Sequence, residues 1–120
     1  MISCGWGILE EVKYLFQKGL KVTAIDDNGA TCLLKGAYSG NIEIVRYLLE
    51  NGSSLDERNN TGRSCLTIAC NRGHLELIKW LVNEKGCFLD ETDDNGTCII
   101  NAARNKHIEC VVWMLHNGSS

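Results

Sequence analysis

A single period governs this sequence. Gly7, Gly40 and Gly73 lie 33 residues apart, as do Glu10, Glu43, Glu76 and Glu109, and Cys32, Cys65 and Cys98. A fixed spacing of this length means that one supersecondary unit recurs and that each copy buries its apolar face against its neighbours. Aromatic residues follow the same interval at Tyr14, Tyr47, Trp80 and Trp113, so four units are visible, the first lacking its beginning. Glycines expected to close the units stand at Gly19, Gly52, Gly86 and Gly118, where a one-residue insertion near Glu84 is offset by a deletion after Gly96. The unit boundaries fall at 1–25 (partial), 26–58, 59–92 and 93–120, within one domain.

The second unit shows how each is built. Asp26-Asp27-Asn28-Gly29 contains an Asn-Gly pair suited to a tight hairpin turn. Thr31 offers a hydroxyl cap to a short helix through Cys32, Leu33 and Ala37, and Gly40 lets the chain reverse. A second helix places Ile42, Val45, Leu48 and Leu49 on one face, with Glu43 in its first turn, where the helix dipole favours an anion. Asn51-Gly52 supplies the exit. The apolar face recurs as Leu9, Val12, Leu15 and Phe16, as Leu75, Ile78, Leu81 and Val82, and as Ile108, Val111, Met114 and Leu115. Burying four such side chains contributes roughly 6–12 kcal/mol, whereas ordering the backbone of one unit costs about 1–2 kcal/mol per residue. A lone unit is therefore not expected to fold, and stacking must supply the remainder.

These residues resemble the ankyrin repeat family over nearly the whole chain, from about Met1 to Ser120. Against that family's D-x-x-G-x-T-P-L-H-x-A-A-x-x-G-H-L-E-V-V-K-x-L-L-x-x-G pattern, the sequence reads DDNGATCLLKGAYSGNIEIVRYLLENG and NNTGRSCLTIACNRGHLELIKWLVNEKG. The last unit, DDNGTCIINAARNKHIECVVWMLHNG, lacks one turn residue and has Lys106 where glycine is usual, so a local difference in its first loop is expected. Cysteine replaces proline at positions 32, 65 and 98, which removes a fixed φ from the start of each first helix. The resemblance implies an all-α solenoid of stacked β-hairpin and helix-loop-helix units, about three and a half repeats. It further implies binding of proteins through the hairpin tips and the first-helix face, without catalysis.

Composition excludes several other classes. The net charge of −3 comes from 15 acidic and 12 basic residues interspersed along the chain, which leaves no footprint for nucleic acid. No apolar run approaches the roughly 18 residues of a membrane helix, and MISCGWGILEEV has acidic residues where a signal peptide is apolar. An intracellular chain, cytoplasmic or nuclear and without membrane insertion, is expected. The Asn-x-Ser/Thr triplets at Asn51, Asn95 and Asn117 are Asn-Gly pairs that turn chemistry explains, and Asn59 heads a fourth.

The chain has seven cysteines, an odd number. Cys32, Cys65 and Cys98 occupy equivalent positions, about 10 Å apart in a helical stack, beyond the roughly 7 Å limit for a disulfide and the zinc–sulfur distance of about 2.3 Å. Cys4, Cys70, Cys87 and Cys110 share no spacing and read as small apolar filler. No metal and no cofactor are expected. His74 and His107 occupy the family's Gly-His loop, where the resemblance implies a ring that tethers neighbouring loops; with His116 they form no catalytic set. No Gly-rich phosphate loop or Gly-x-Ser-x-Gly is present, so the chain is not expected to be an enzyme. The aromatic column is expected to form a ladder of stacked, half-buried rings.

A stack needs sameness inside, whereas a specific partner needs difference outside. Outward positions that vary between units are therefore the candidates for binding. On the first helices these are Trp6 beside Gly5, Tyr38 with Ser39, Asn71 with Arg72, and Arg104 with Asn105; in the turns they are Asp27, Asn28, Asn60, Arg63 and Asp94. Trp6, Tyr38, Arg72 and Arg104 form one stripe of the side chains that most often carry interface energy. The expected function is a scaffold or adaptor docking another protein or peptide on its concave helix-one and hairpin face. The alternative is a regulatory array that positions or inhibits a catalytic or channel domain elsewhere in the parent protein. Neither end carries a polar cap, and Ile108, Val111 and Met114 are expected to meet solvent, so the block is expected to belong to a longer array or to pair its ends with another copy.

Overall fold

The computed structural model describes residues 5–19 and 25–117, with residues 5–8 described in backbone only. In chain order its elements are α1 (Gly5–Gln17), α2 (Cys32–Ser39), α3 (Ile42–Glu50), α4 (Cys65–Arg72), α5 (Leu75–Lys85), β1 (Thr92–Asp93), β2 (Gly96–Thr97), α6 (Cys98–Arg104) and α7 (Ile108–His116). Helices α2, α4 and α6 pack in a row, each lies against its own second helix (α3, α5, α7), and α1 packs on α3. The stack measures 45 × 27 × 26 Å. Small residues set the close approach: Gly36, Ala37, Ala69, Cys70 and Ala102 are buried, and a Cβ on Gly36 would come within 2.8 Å of Ile44 Cγ2.

Hydroxyl caps start α2, α4 and α6. The backbone N–H groups of Leu34, Thr67 and Ile100 donate to Thr31, Ser64 and Thr97, so side chains perform the pre-organisation that proline would otherwise share. Gly19, Gly52 and Gly86 adopt positive φ at the unit exits, as expected. Gly118 and Cys4 lie outside the described residues.

Four expectations need correction. Unit one was expected to turn at Gly7, yet α1 runs unbroken from Gly5 to Gln17. The position that starts the second helix elsewhere is Asn41, which caps the Ile44 N–H, or His74 or His107, which bond to the preceding unit, whereas here it is Ile8, which can do neither. Trp6 therefore sits in α1, and its side chain lies outside the described residues. Next, Leu15 is exposed although its equivalents Leu48, Leu81 and Met114 are fully buried. Those three share the core that α2, α4 and α6 line, and α1 has no first helix of its own unit among the described residues.

Of the α7 residues expected to meet solvent, Ile108 does, with Leu115 beside it, but Val111 is partly buried and Met114 is fully buried in the core; Ile42, Leu75, Leu49 and Val82, the equivalents of Ile108 and Leu115, are partly buried in the inner units, where a following unit packs. Finally, the aromatic column does not stack on itself. The close ring pair among the described residues is Phe16 with Tyr47, at 6.0 Å between centroids, while Lys13, Lys18 and Lys85 lie over Tyr47, Tyr14 and Trp80. The tightest packing between units runs along the small-residue first helices, so the second-helix rings meet cations and an adjacent phenylalanine instead of one another.

Candidate functional site

The turns before the first helices are built by short polar side chains folding onto their own backbone. Asp26 Oδ1 accepts from the N–H groups of Asn28 and Ala30, Asn59 Oδ1 from those of Thr61 and Arg63, and Asp93 Oδ1 from that of Asn95. The Ala30 N–H, aided by Asn28 and Lys35, holds the Asp26 carboxyl below its ordinary range. Adjacent turns are then joined: the Asn60 N–H donates to the Asn28 carbonyl at 2.9 Å and the Asp94 N–H to the Thr61 carbonyl at 3.0 Å. Among the described residues only the last turn is a paired hairpin, with Thr92 opposite Thr97 and Asp93 opposite Gly96. Its shorter loop moves Gly96 to φ 127°, against 77° and 76° at Gly29 and Gly62, the local difference that the missing residue implied.

Two ties run within units: Thr31 Oγ1 donates to Glu57, and Ser64 Oγ to Glu91, each at 2.6 Å, so each cap hydroxyl ties its helix to the end of its own unit. At the opposite loop, His74 Nε2–H donates to the Tyr38 carbonyl at 2.8 Å and His107 Nε2–H to the Asn71 carbonyl at 2.9 Å. Each ring lies directly against the preceding unit's glycine: a Cβ on Gly40 or Gly73 would meet the imidazole at 2.6 or 2.4 Å. The histidines tether loops, as the resemblance implied.

The proposed binding side chains among the described residues fall into four groups. Tyr38 and Arg72, from neighbouring units, come together, with the Arg72 guanidinium carbon 4.3 Å from the centre of the half-exposed Tyr38 ring. Asn71 donates to Asn101 Oδ1 at 3.1 Å, and Arg104 donates to the same oxygen at 3.3 Å and to the Asn95 carbonyl at 2.7 Å. Asp27, Asn28, Asn60 and Asp94 are exposed at the turn tips. The remaining three are partly committed to the fold: Ser39 donates to the Gly36 carbonyl, Asn105 to the Asn101 carbonyl, and half-buried Arg63 places Nε 3.2 Å from Asp93 Oδ2 in an unaligned ion pair.

Asn101 itself escaped sequence reasoning. It is fully buried, and its amide donates to Asp93 Oδ1 and to the Thr97 carbonyl while its oxygen receives Asn71 and Arg104. The only signal was an asparagine standing where the other units have Lys35 and Ile68.

The thiols of Cys65, Cys70 and Cys87 are held in the protonated form. Burial raises Cys65, a hydrogen bond to Cys98 and burial raise Cys70, and burial with the Glu91 charge pushes Cys87 up to about 11. A protonated thiol is a poor nucleophile and a poor metal ligand. Among the described residues no three His, Cys, Asp or Glu side chains converge on a metal position, and no helix is long and apolar enough to cross a membrane.

The family model for ankyrin repeats in many copies matches residues 4–49, 33–82 and 66–115, three overlapping matches across nearly the whole chain. A comparison with curated proteins returns no match. The stacked helix pairs, the Gly-His tethers between loops and the family match agree, and the chain belongs to the ankyrin repeat family, whose repeats are generally protein–protein interaction modules.

Proposed function

We propose that this chain is a scaffold or adaptor that docks a protein or peptide on its concave side, along α2, α4 and α6 and the adjoining turn tips. The observation that best supports this is the Arg72 guanidinium held over the half-exposed Tyr38 ring across two units. Tyrosine and arginine concentrate interface energy, and a stacked pair loses little conformational freedom on binding. Asn71, Arg104 and the tip residues Asp27, Asn28, Asn60 and Asp94 then form a polar rim. The test is calorimetry with a partner captured from cell extract and purified. Tyr38→Ala with Arg72→Glu is expected to weaken binding at least tenfold while the melting temperature moves by less than about 3 °C. Unaltered affinity in that variant would refute the face.

A second proposal concerns the α7 side, carried by Ile100, Ile108 and Leu115, which are 48%, 64% and 57% exposed. Leu34 and Thr67, the inner equivalents of Ile100, are buried. On this reading 93–120 is an inner unit of a longer array, or this side pairs with another copy. Fusing a generic capping ankyrin unit after residue 120 is expected to raise the melting temperature by several degrees. An unchanged melt would count against the proposal.

A further inference from the structure

We infer that the segment docked on the first-helix row is acidic, a carboxylate-rich peptide stretch held by Arg72 and Arg104. This rests on the docking face proposed above and adds the chemistry of its occupant. Charges that alternate along the sequence are sorted by the fold. Helices α2, α4 and α6 carry Lys35, Arg72 and Arg104 and no carboxylate, whereas α1, α3, α5 and α7 carry seven glutamates against four Lys or Arg.

Pairing sharpens the contrast. Lys13, Lys35, Arg46, Arg58, Arg63 and Lys79 each have a carboxylate partner within 4.0 Å. Among the described residues Lys18, Arg72, Lys85, Arg104 and Lys106 have none, and Arg72 and Arg104 are the arginines of that set, both exposed on the first-helix row. Each is also oriented. The Tyr38 ring supports the Arg72 guanidinium plane, and the Asn95 carbonyl and Asn101 hold one side of Arg104. The Asn71 to Asn101 hydrogen bond joins these two positions, so Tyr38, Arg72, Asn71, Asn101 and Arg104 run without a break from α2 to α6.

Two pre-oriented guanidinium groups without carboxylates suit bidentate recognition of Asp or Glu side chains. The exposed Asp27 and Asp94 at the turn tips repel the same segment, which confines it to the helix row and sets its register. Those aspartates, together with a net charge of −3, disfavour a polyphosphate chain, whose binding needs several cationic contacts.

The experiment pans a random short-peptide library against the wild-type protein and ranks the enriched peptides by charge. Affinities are then measured by fluorescence anisotropy at low and physiological salt. Peptides rich in Asp and Glu are expected, losing about tenfold in affinity with Arg72→Glu or Arg104→Gln, as a charge-assisted pair predicts, and unaffected by Lys79→Glu on the second-helix side. The conservative Gln at position 104 keeps a donor toward Asn95, and far-ultraviolet circular dichroism confirms folding of each variant. Enriched peptides that are neutral or basic yet weakened by Tyr38→Ala overturn the acidic occupant and leave the face standing. Peptides indifferent to Tyr38, Arg72 and Arg104, or no enrichment, overturn both. Displacement of the peptide by an unstructured oligonucleotide at physiological salt overturns the peptide assignment in favour of nucleic acid.

Discussion

One backbone position, occupied differently in successive units, lets the stacking physics be measured with opposite signs. Gly40 and Gly73 end the first helices at φ 74° and 75°, and Lys106 fills the equivalent place at φ 63°. Replacing Gly73 with alanine imposes left-handed strain of about 1–2 kcal/mol. It also drives a Cβ to 2.4 Å from His107 Nδ1, which displaces a ring whose hydrogen bond to the Asn71 carbonyl contributes about 0.5–1.5 kcal/mol.

Gly73→Ala is therefore expected to cost about 2–3 kcal/mol, a fall of roughly 6–15 °C in melting temperature for a chain of this size. Lys106→Gly relieves the same strain without a ring to accommodate and is expected to gain about 1 kcal/mol, or 3–5 °C. Urea and thermal melts followed by circular dichroism measure both. In a His107→Ala background the ring conflict is gone, so Gly73→Ala should there cost only the backbone strain of about 1–2 kcal/mol, and the cycle should show coupling of about 1 kcal/mol. Strict additivity, or a destabilised Lys106→Gly protein, would refute the idea that the ring and the glycine are matched across units.

Other measurements address the remaining ties. Asn101→Ala strands Asp93, Asn71 and the Thr97 carbonyl around a buried gap, and a loss of about 2–4 kcal/mol in urea denaturation is expected; a loss below about 1 kcal/mol would show that water replaces the amide. Ser64→Ala removes both a helix cap and the Glu91 tie, with an expected cost of about 1–3 kcal/mol, larger than that of Thr97→Ala, which loses a cap alone. Cys87 holds its proton up to about 11 in the folded state against 9.0 ordinarily, so its contribution is complete below about pH 9 and is lost as pH rises toward 11. Stability should thus fall across that interval, and less so in Cys87→Ala. Iodoacetamide at neutral pH should label Cys65 and Cys70 only after denaturant is added; rapid labelling of the native protein would contradict their burial.

What could be read from residues alone were the features that recur. The period of 33 marked the units, the Thr and Ser caps and positive-φ glycines marked the helix ends, and the apolar spacing marked Val45, Leu48, Ile78 and Leu81 as core. These depend on local geometry, and local geometry repeats with the sequence. The tertiary structure decided whatever depends on which unit lies alongside. The same apolar position is buried at Leu48, against which α2 packs, and exposed at Leu15, because α1 has no first helix of its own unit among the described residues. Tyr47 meets Phe16, a residue outside its column, because the inner row packs more closely than the outer. Asn71 bonds to buried Asn101, and Arg72 comes to rest on Tyr38, through contacts 30 or more residues apart that no single unit contains. Charge followed the same division: a chain whose acidic and basic residues alternate in sequence presents an acidic second-helix side and a carboxylate-free first-helix row, because the repeat places each helix of a pair on its own side of the stack.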